Sequence, residues 1–233
     1  MPVMDVPDSL VGPTQASKAE TVYRTLRDQI VRLKREPGAF IDKAEVCEAL
    51  QVSRFPVANA LSRLAREGLV DVEPQRGSYV SLIRLTDVRE AIVMRTALES
   101  EAARQAAMRP DPGVLKRIDE AIEVQRAMHA VDDGAGFTRA DEAFHYAICD
   151  ATNFPRLLAT VASARAHMER LNLLLSVPVD GRMLRTLDQH DGIVAAIRTG
   201  DVERAGRAMR IHLESLGDDV DGVVARQPDY FRA

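Results

Sequence analysis

Residues Asp42 to Val80 read DKAEVCEALQVSRFPVANALSRLAREGLVDVEPQRGSYV, and their pattern decides the fold of the first third of the chain. Asp42 is a helix N-cap, with Glu45 three residues later in the capping-box position. Val46 and Leu50 then fall one turn apart on a single face. Gln51-Val52 supplies a turn, and Ser53 is placed to cap a second helix. Pro56 sits in the first turn of that helix, where a missing N–H costs little. Val57, Leu61 and Leu64 recur at helical spacing and point inward, leaving Arg54, Ala58, Asn59, Ser62 and Arg63 outside. Gly68 stops the helix, because glycine enters the left-handed region freely. Two β-rich runs, Leu69 to Glu73 and Ser78 to Ile83, flank Pro74-Gln75-Arg76-Gly77, which reads as a hairpin. Helix, turn, helix and hairpin make a winged helix-turn-helix, a unit that lays its second helix in a major groove.

The same stretch resembles the DNA-binding domain of GntR-type bacterial transcription regulators. The resemblance is carried by Val52-Ser53-Arg54, Pro56-Val57, Ala60-Leu61, Arg63-Leu64, Glu67-Gly68-Leu69-Val70 and Arg76-Gly77, with Pro37-Gly38 upstream, and covers residues 18–82. It implies operator DNA as partner and Ser53, Arg54, Phe55, Asn59, Arg63, Arg76 and Gly77 as the DNA-binding set. One departure stands out. The family carries Arg-Glu after Pro-Val, its Arg reading guanine through O6 and N7, whereas this chain has Ala58-Asn59. Base reading is therefore expected from Asn59 or Arg63, on an operator that differs from the family's.

The chain of 233 residues has room for two domains. Residues 1–17, rich in Pro, Gly, Ser and Asp, read as a flexible tail. Residues 18–35 read as a helix with Val22, Leu26, Ile30 and Leu33 in one stripe. Beyond the wing every segment has helical period, with helices expected at about 85–108, 111–130, 137–151, 155–175, 182–199 and 201–216. Residues 84–216 are therefore expected to form an all-α bundle, and 217–233 a C-terminal tail of low order. The fold class is mainly α. No apolar run is long enough to span a bilayer, and Cys47 and Cys149 read as reduced thiols, so the expected location is the cytoplasm.

Net charge is −4, unevenly spread. Residues 18–80 carry 11 Lys and Arg against 9 Asp and Glu, so the DNA-binding half is only weakly basic. Modest phosphate neutralisation per chain calls for two reading heads, and hence a homodimer.

The bundle brings a second chemistry. Asp141 and His145 lie four residues apart and share a helix face. His190 and His212 lie on consecutive helices joined at Gly200-Asp201; if these are antiparallel, the two imidazoles stand at similar height. One carboxylate and three imidazoles suit Zn²⁺, Ni²⁺ or another borderline divalent ion, while a helical Asp–His ion pair and hydrogen-bonded histidines are the plainer alternative. The phrases DEAFHYAI, LDQHDGIVAAIRTGDVERA and RAMRIHL resemble the FCD effector domain of one GntR branch. That resemblance implies a metal held by Asp141, His145, His190 and His212. It also suggests Arg95 as an effector-binding residue that grips a small carboxylate metabolite beside the metal, unless it merely pairs with Glu99, and Asn153 as a second. The resulting reading is a ligand-responsive transcription regulator, expected to repress. A metal-dependent hydrolase and a direct metal sensor are the alternatives; no general base stands in register with the cluster, so an enzyme is not expected.

Overall fold

The computed structural model describes residues 17–175 and 181–232. Its first unit holds α1 (Lys18–Val31), α2 (Lys43–Ala49), α3 (Arg54–Arg66), β1 (Val70–Glu73) and β2 (Gly77–Val80). Asp42 caps α2 by accepting from Ala44 N at 2.7 Å. Glu45 does not close the capping box; it pairs with Arg35 at 2.9 Å instead. Ser53 occupies the N-cap position of α3 but makes no side-chain cap bond. Gly68 ends α3 with φ 70°, and Leu69 N returns to Leu64 O at 2.9 Å. The hairpin pairs Val70 with Val80 and Glu73 with Gly77, antiparallel. Gly77 has φ 124°, and a Cβ there would stand 2.5 Å from the Phe40 ring, so both backbone and packing demand glycine.

α1 is shorter than the apolar stripe suggested. It ends at Val31, and Leu33 lies beyond it with φ 54°, packed against the core of the second unit. The stripe was real, but its last member belongs to the other domain's core.

The second unit is the expected helical bundle: α4 (Leu85–Met108), α5 (Pro112–Ala130), α6 (Gly134–Asp150), α7 (Pro155–Leu175), α8 (Arg182–Arg198) and α9 (Val202–Glu214). α4 runs through its centre, packing on α6, α7, α8 and α9. Its buried Ala91, Ala102, Ala103, Ala106 and Ala107 let neighbours approach closely, and Gly206 of α9 rests against Arg104 and Ser100 of α4. The thiols of Cys47 and Cys149 are free, and burial pushes that of Cys149 up to about 12.

The C-terminal stretch departs from the expectation of low order. A 3-10 turn (Ser215–Asp219), α10 (Val220–Arg226) and β4 (Phe231–Arg232) follow α9. β4 pairs in parallel with β3 (Ile83–Arg84), the strand that leads from wing to bundle. Val223 and Phe231 are buried in the bundle core, and this apolar anchoring outweighs the polar composition around them. The expected 1–17 tail, apart from Ser17, lies outside the described residues.

The two units meet along α7. Ala166 is part of the winged-helix core. Arg170, buried, donates to Ser81 O at 2.7 Å, and Ser81 Oγ donates to Gly68 O at 2.6 Å. Glu169 faces the Arg27 and Arg32 charges of the winged unit, yet burial and the nearby Glu142 push its carboxyl up to about 7. Between its ordinary 4.5 and about 7, the folded chain keeps a proton that the unfolded chain releases. Stability therefore falls as pH rises through that window and stays reduced above it. Glu169→Gln removes the penalty. Thermal melts should show the variant about 3 °C or more above wild type at pH 8 and close to it near pH 4.5; equal melting at pH 8 contradicts the assignment.

Candidate functional site

Asp141 and His145 on α6, His190 on α8 and His212 on α9 converge in the middle of the bundle. Three of these side chains are almost wholly buried, and Asp141 is 14% exposed. His212 Nε2 lies 3.2 Å from His145 Nε2 and 3.3 Å from His190 Nε2. Asp141 Oδ1 stands 3.7 Å from His145 Nε2 and 3.5 Å from His190 Nε2. Ligand bonds of about 2.0–2.1 Å in a tetrahedral arrangement place neighbouring donors about 3.3 Å apart. The four separations above are close to that value, and all four donor atoms lie within 4.8 Å of one another.

Each inward-facing ring is held from behind. His145 Nδ1 meets Glu99 Oε2 at 2.5 Å, His190 Nδ1 meets Gln125 Oε1 at 2.9 Å, and His212 Nδ1 meets Gln189 Oε1 at 2.8 Å. All three partners are oxygen acceptors, so each Nδ1 carries the proton and each Nε2 presents its lone pair to the centre. Phe144 stacks on His190 with centroids 3.8 Å apart. Beside the rings, Arg165 Nη2 donates to Asp141 Oδ2 at 3.2 Å.

The electrostatics agree. Burial, with Arg165 nearby, pushes His190 down to about 3 against the pull of Asp141 and Glu99. Burial and the neighbouring rings hold His212 well below its ordinary value as well. Burial opposes ionisation of Asp141, but any proton on the surrounding rings, together with Arg165, outweighs it and keeps the carboxylate ionised. Glu99 behaves likewise, held ionised by Arg95 and His145 against the cost of burial. Neutral imidazoles and an ionised carboxylate are the forms that bind a cation. Three lone pairs aimed at one point repel one another in a low dielectric, and a divalent cation relieves that repulsion.

Arg95 pairs with Glu99, as the plainer reading has it, and also reaches a cavity. Its Nε donates to Glu99 Oε1 at 2.6 Å, and its side chain also lines a small cavity beside the cluster with Thr138, Asn172, Arg182 and His212. Asn153 does not join that cavity. It is exposed in the α6–α7 turn at φ 55°, a left-handed conformation that Asn tolerates, and lines a separate cleft with Arg109 and Asp150. Sequence reasoning missed Glu99 as a ring anchor, although its place one turn after Arg95 was visible. It also missed Gln189, although that residue precedes His190. Arg165, Gln125 and Arg182 had no sequence signal, because they come from helices whose relative rotation only packing sets.

At the other end of the molecule, Arg54, Phe55 and Asn59 are exposed on α3, and Arg76 projects from the wing beside Glu73 at 2.8 Å. Arg63 is engaged within its own domain. Its guanidinium lies 3.5 Å over the Tyr23 ring and pairs with Glu20 at 2.8 Å and Glu67 at 3.4 Å.

Comparison with known proteins agrees with both halves. The model for bacterial regulatory proteins of the gntR family matches residues 18–80, and the FCD domain model matches residues 90–215. An uncharacterized HTH-type transcriptional regulator in an unstable DNA locus of Streptomyces ambofaciens is 33% identical, over 90% of this chain and 88% of its own length. The HTH-type transcriptional repressor RspR of Escherichia coli K12 is 29% identical over 96% of this chain and 97% of its own. Among solved structures, a GntR transcriptional regulator from Rhodococcus sp. RHA1 superimposes with TM-score 0.72 at 28% identity, covering 88% of this chain and 98% of that one. Escherichia coli McbR/YncC shares the fold, with TM-score 0.78 at 21% identity over 89% and 99%. The chain therefore belongs to the GntR family of bacterial regulatory proteins, as a DNA-binding transcriptional regulator whose winged helix is followed by an FCD domain.

Proposed function

We propose that this regulator is a homodimeric, cytoplasmic repressor whose bundle holds one divalent metal ion, Zn²⁺ or Ni²⁺, and responds to a small carboxylate bound beside it. The observation that carries the reading is the convergence of Asp141 Oδ1 with three Nε2 lone pairs, each ring backed by its own acceptor. A bound ion would supply a positive centre able to accept a carboxylate oxygen.

Charge bookkeeping supports an anionic effector. Arg95 and Arg165 balance Glu99 and Asp141 around neutral imidazoles, so a divalent ion leaves the buried site with surplus positive charge. Uncompensated charge is costly in a protein interior, and an anion offsets it. Arg95 lines the cavity on the cluster side. Arg182 lies at the N-terminus of α8 and lines both this cavity, about 20 Å³, and an adjoining recess of about 80 Å³. The small volume favours a ligand of few atoms. It also favours a second reading, in which the ion itself is the signal.

α7 offers the route from site to DNA. Arg165 holds Asp141, and the next turn holds Ala166 in the winged-helix core and Arg170 on Ser81. A shift of Asp141 is thus felt at the base of the wing, in a packed contact rather than across a loose tether. In the DNA-binding unit, Ser53 and Arg54 at the start of α3, with Arg76 and Gly77 in the wing, are assigned to the phosphate backbone. Arg63 braces α3 on α1.

Protein purified without a histidine tag should contain about one Zn or Ni per chain by elemental analysis, and His190→Ala and His212→Ala should lose it while still binding DNA. Undiminished metal in both variants sinks the site. With metal bound, small carboxylates should raise the melting temperature of wild type and not of Arg182→Ala; a response to added metal alone favours the ion as signal. Arg170→Ala should keep its metal yet shrink the change in DNA affinity that chelation produces in wild type. An unchanged ratio removes α7 from the pathway. Sedimentation at working concentration should give roughly twice the 25.7 kDa chain mass, and a monomer contradicts the two-headed reading.

A further inference from the structure

We infer that α3 reads adenine and thymine: Asn59 pairs with an adenine, and Phe55 and Ala58 pack on thymine methyl groups. This rests on the DNA-binding role of the chain and goes beyond it to the bases specified.

At 100° per residue, the buried Pro56, Val57, Ala60, Leu61 and Leu64 define one side of α3. Directly opposite lie Phe55, Ser62 and Arg66, flanked by Ala58 and Asn59. Base edges are contacted from the N-terminal part of a recognition helix, which leaves Phe55, Ala58, Asn59 and Ser62 as the groove face. Arg66 is in the last turn. Arg54 is the first helical residue and sits at the edge of the face, a place suited to phosphate.

The guanidinium that could have read a guanine is spoken for. Arg63 lies at the other edge of the face, with its charge over Tyr23 and its donors on Glu20 and Glu67. Freeing it would break two contacts that hold α3 on α1, with Tyr23 and Glu20, and one along α3, with Glu67. Asn59 is exposed, and its amide has no partner among the described residues. An amide offers one acceptor and one donor side by side, which match N6–H and N7 of adenine. Phe55 is 74% exposed, one turn from Asn59 on the same face. An aromatic ring and the methyl of Ala58 have no hydrogen bond to give a base, but they fit the thymine C5 methyl in the major groove. The groove face thus carries an amide, two apolar groups and a hydroxyl.

The test is selection of the intact protein on a randomised duplex pool, repeated with Asn59→Ala and Phe55→Ala. Both side chains are exposed, so unchanged thermal melts confirm that the variants are folded. Wild type should enrich a half-site with an adenine whose preference disappears in Asn59→Ala while neighbouring positions persist. Binding to that site should weaken about tenfold in Asn59→Ala. Replacing thymine by deoxyuracil, which lacks only the methyl, should weaken wild-type binding severalfold and leave Phe55→Ala indifferent. A guanine at the position that depends on Asn59, or no effect of deoxyuracil, overturns this assignment and leaves the regulator intact. No enriched sequence and no salt-dependent DNA binding takes down the regulator reading as well.

Discussion

The structure depends on a buried balance of charge at the centre of the bundle. Three imidazoles, two carboxylates and two guanidiniums share a volume from which water is largely excluded, and each ring is held from behind by Glu99, Gln125 or Gln189. Such a group is unfavourable unless its members pair well, because charged groups lose their hydration on burial. The pairing here is distributed. Glu99 serves Arg95 and His145 together, and Asp141 faces both the imidazoles and Arg165. The helices that supply these residues, α4, α6, α7, α8 and α9, are thereby fixed in mutual rotation as well as in distance. Apolar packing on the alanine face of α4 brings them together; the polar cluster chooses which faces meet.

That division explains what could be read in the sequence. The winged helix was legible almost residue by residue, since its determinants are local: Asp42 as a cap, Gly68 as a stop, Gly77 in the hairpin. The four converging side chains were legible because two share one helix face and two flank a tight antiparallel turn at Gly200. Local rules failed where a residue's partner comes from a distant segment. Glu45 was drawn from its capping box by Arg35. Arg63 took partners in Glu20, Glu67 and Tyr23 that its spacing did not announce. Asn153 was placed near the cavity by analogy, whereas its backbone serves the α6–α7 turn. The C-terminal residues looked polar enough to be loose, yet Val223 and Phe231 suffice to anchor them.

α7 gives the two domains a common part. The stretch from Arg165 to Arg170 faces the aspartate–histidine cluster, the winged-helix core and the backbone below the wing within about one and a half turns. Interleaved cores of this kind, with Leu33 in the bundle and Ala166 in the winged helix, do not deform gradually. Close-packed interfaces move between discrete arrangements.

The pairing of β3 with β4 has a consequence for how the protein is made. The winged helix emerges first from the ribosome and contains most of what its own core needs. The segment joining it to the bundle, however, is completed by Phe231 and Arg232, among the final residues described. During synthesis the reading head can fold while its attachment still lacks its partner strand, and Ile83 waits for almost the whole bundle to be translated. A chain stalled part-way would carry a formed DNA-binding unit with its orientation unset, so DNA-binding competence precedes control.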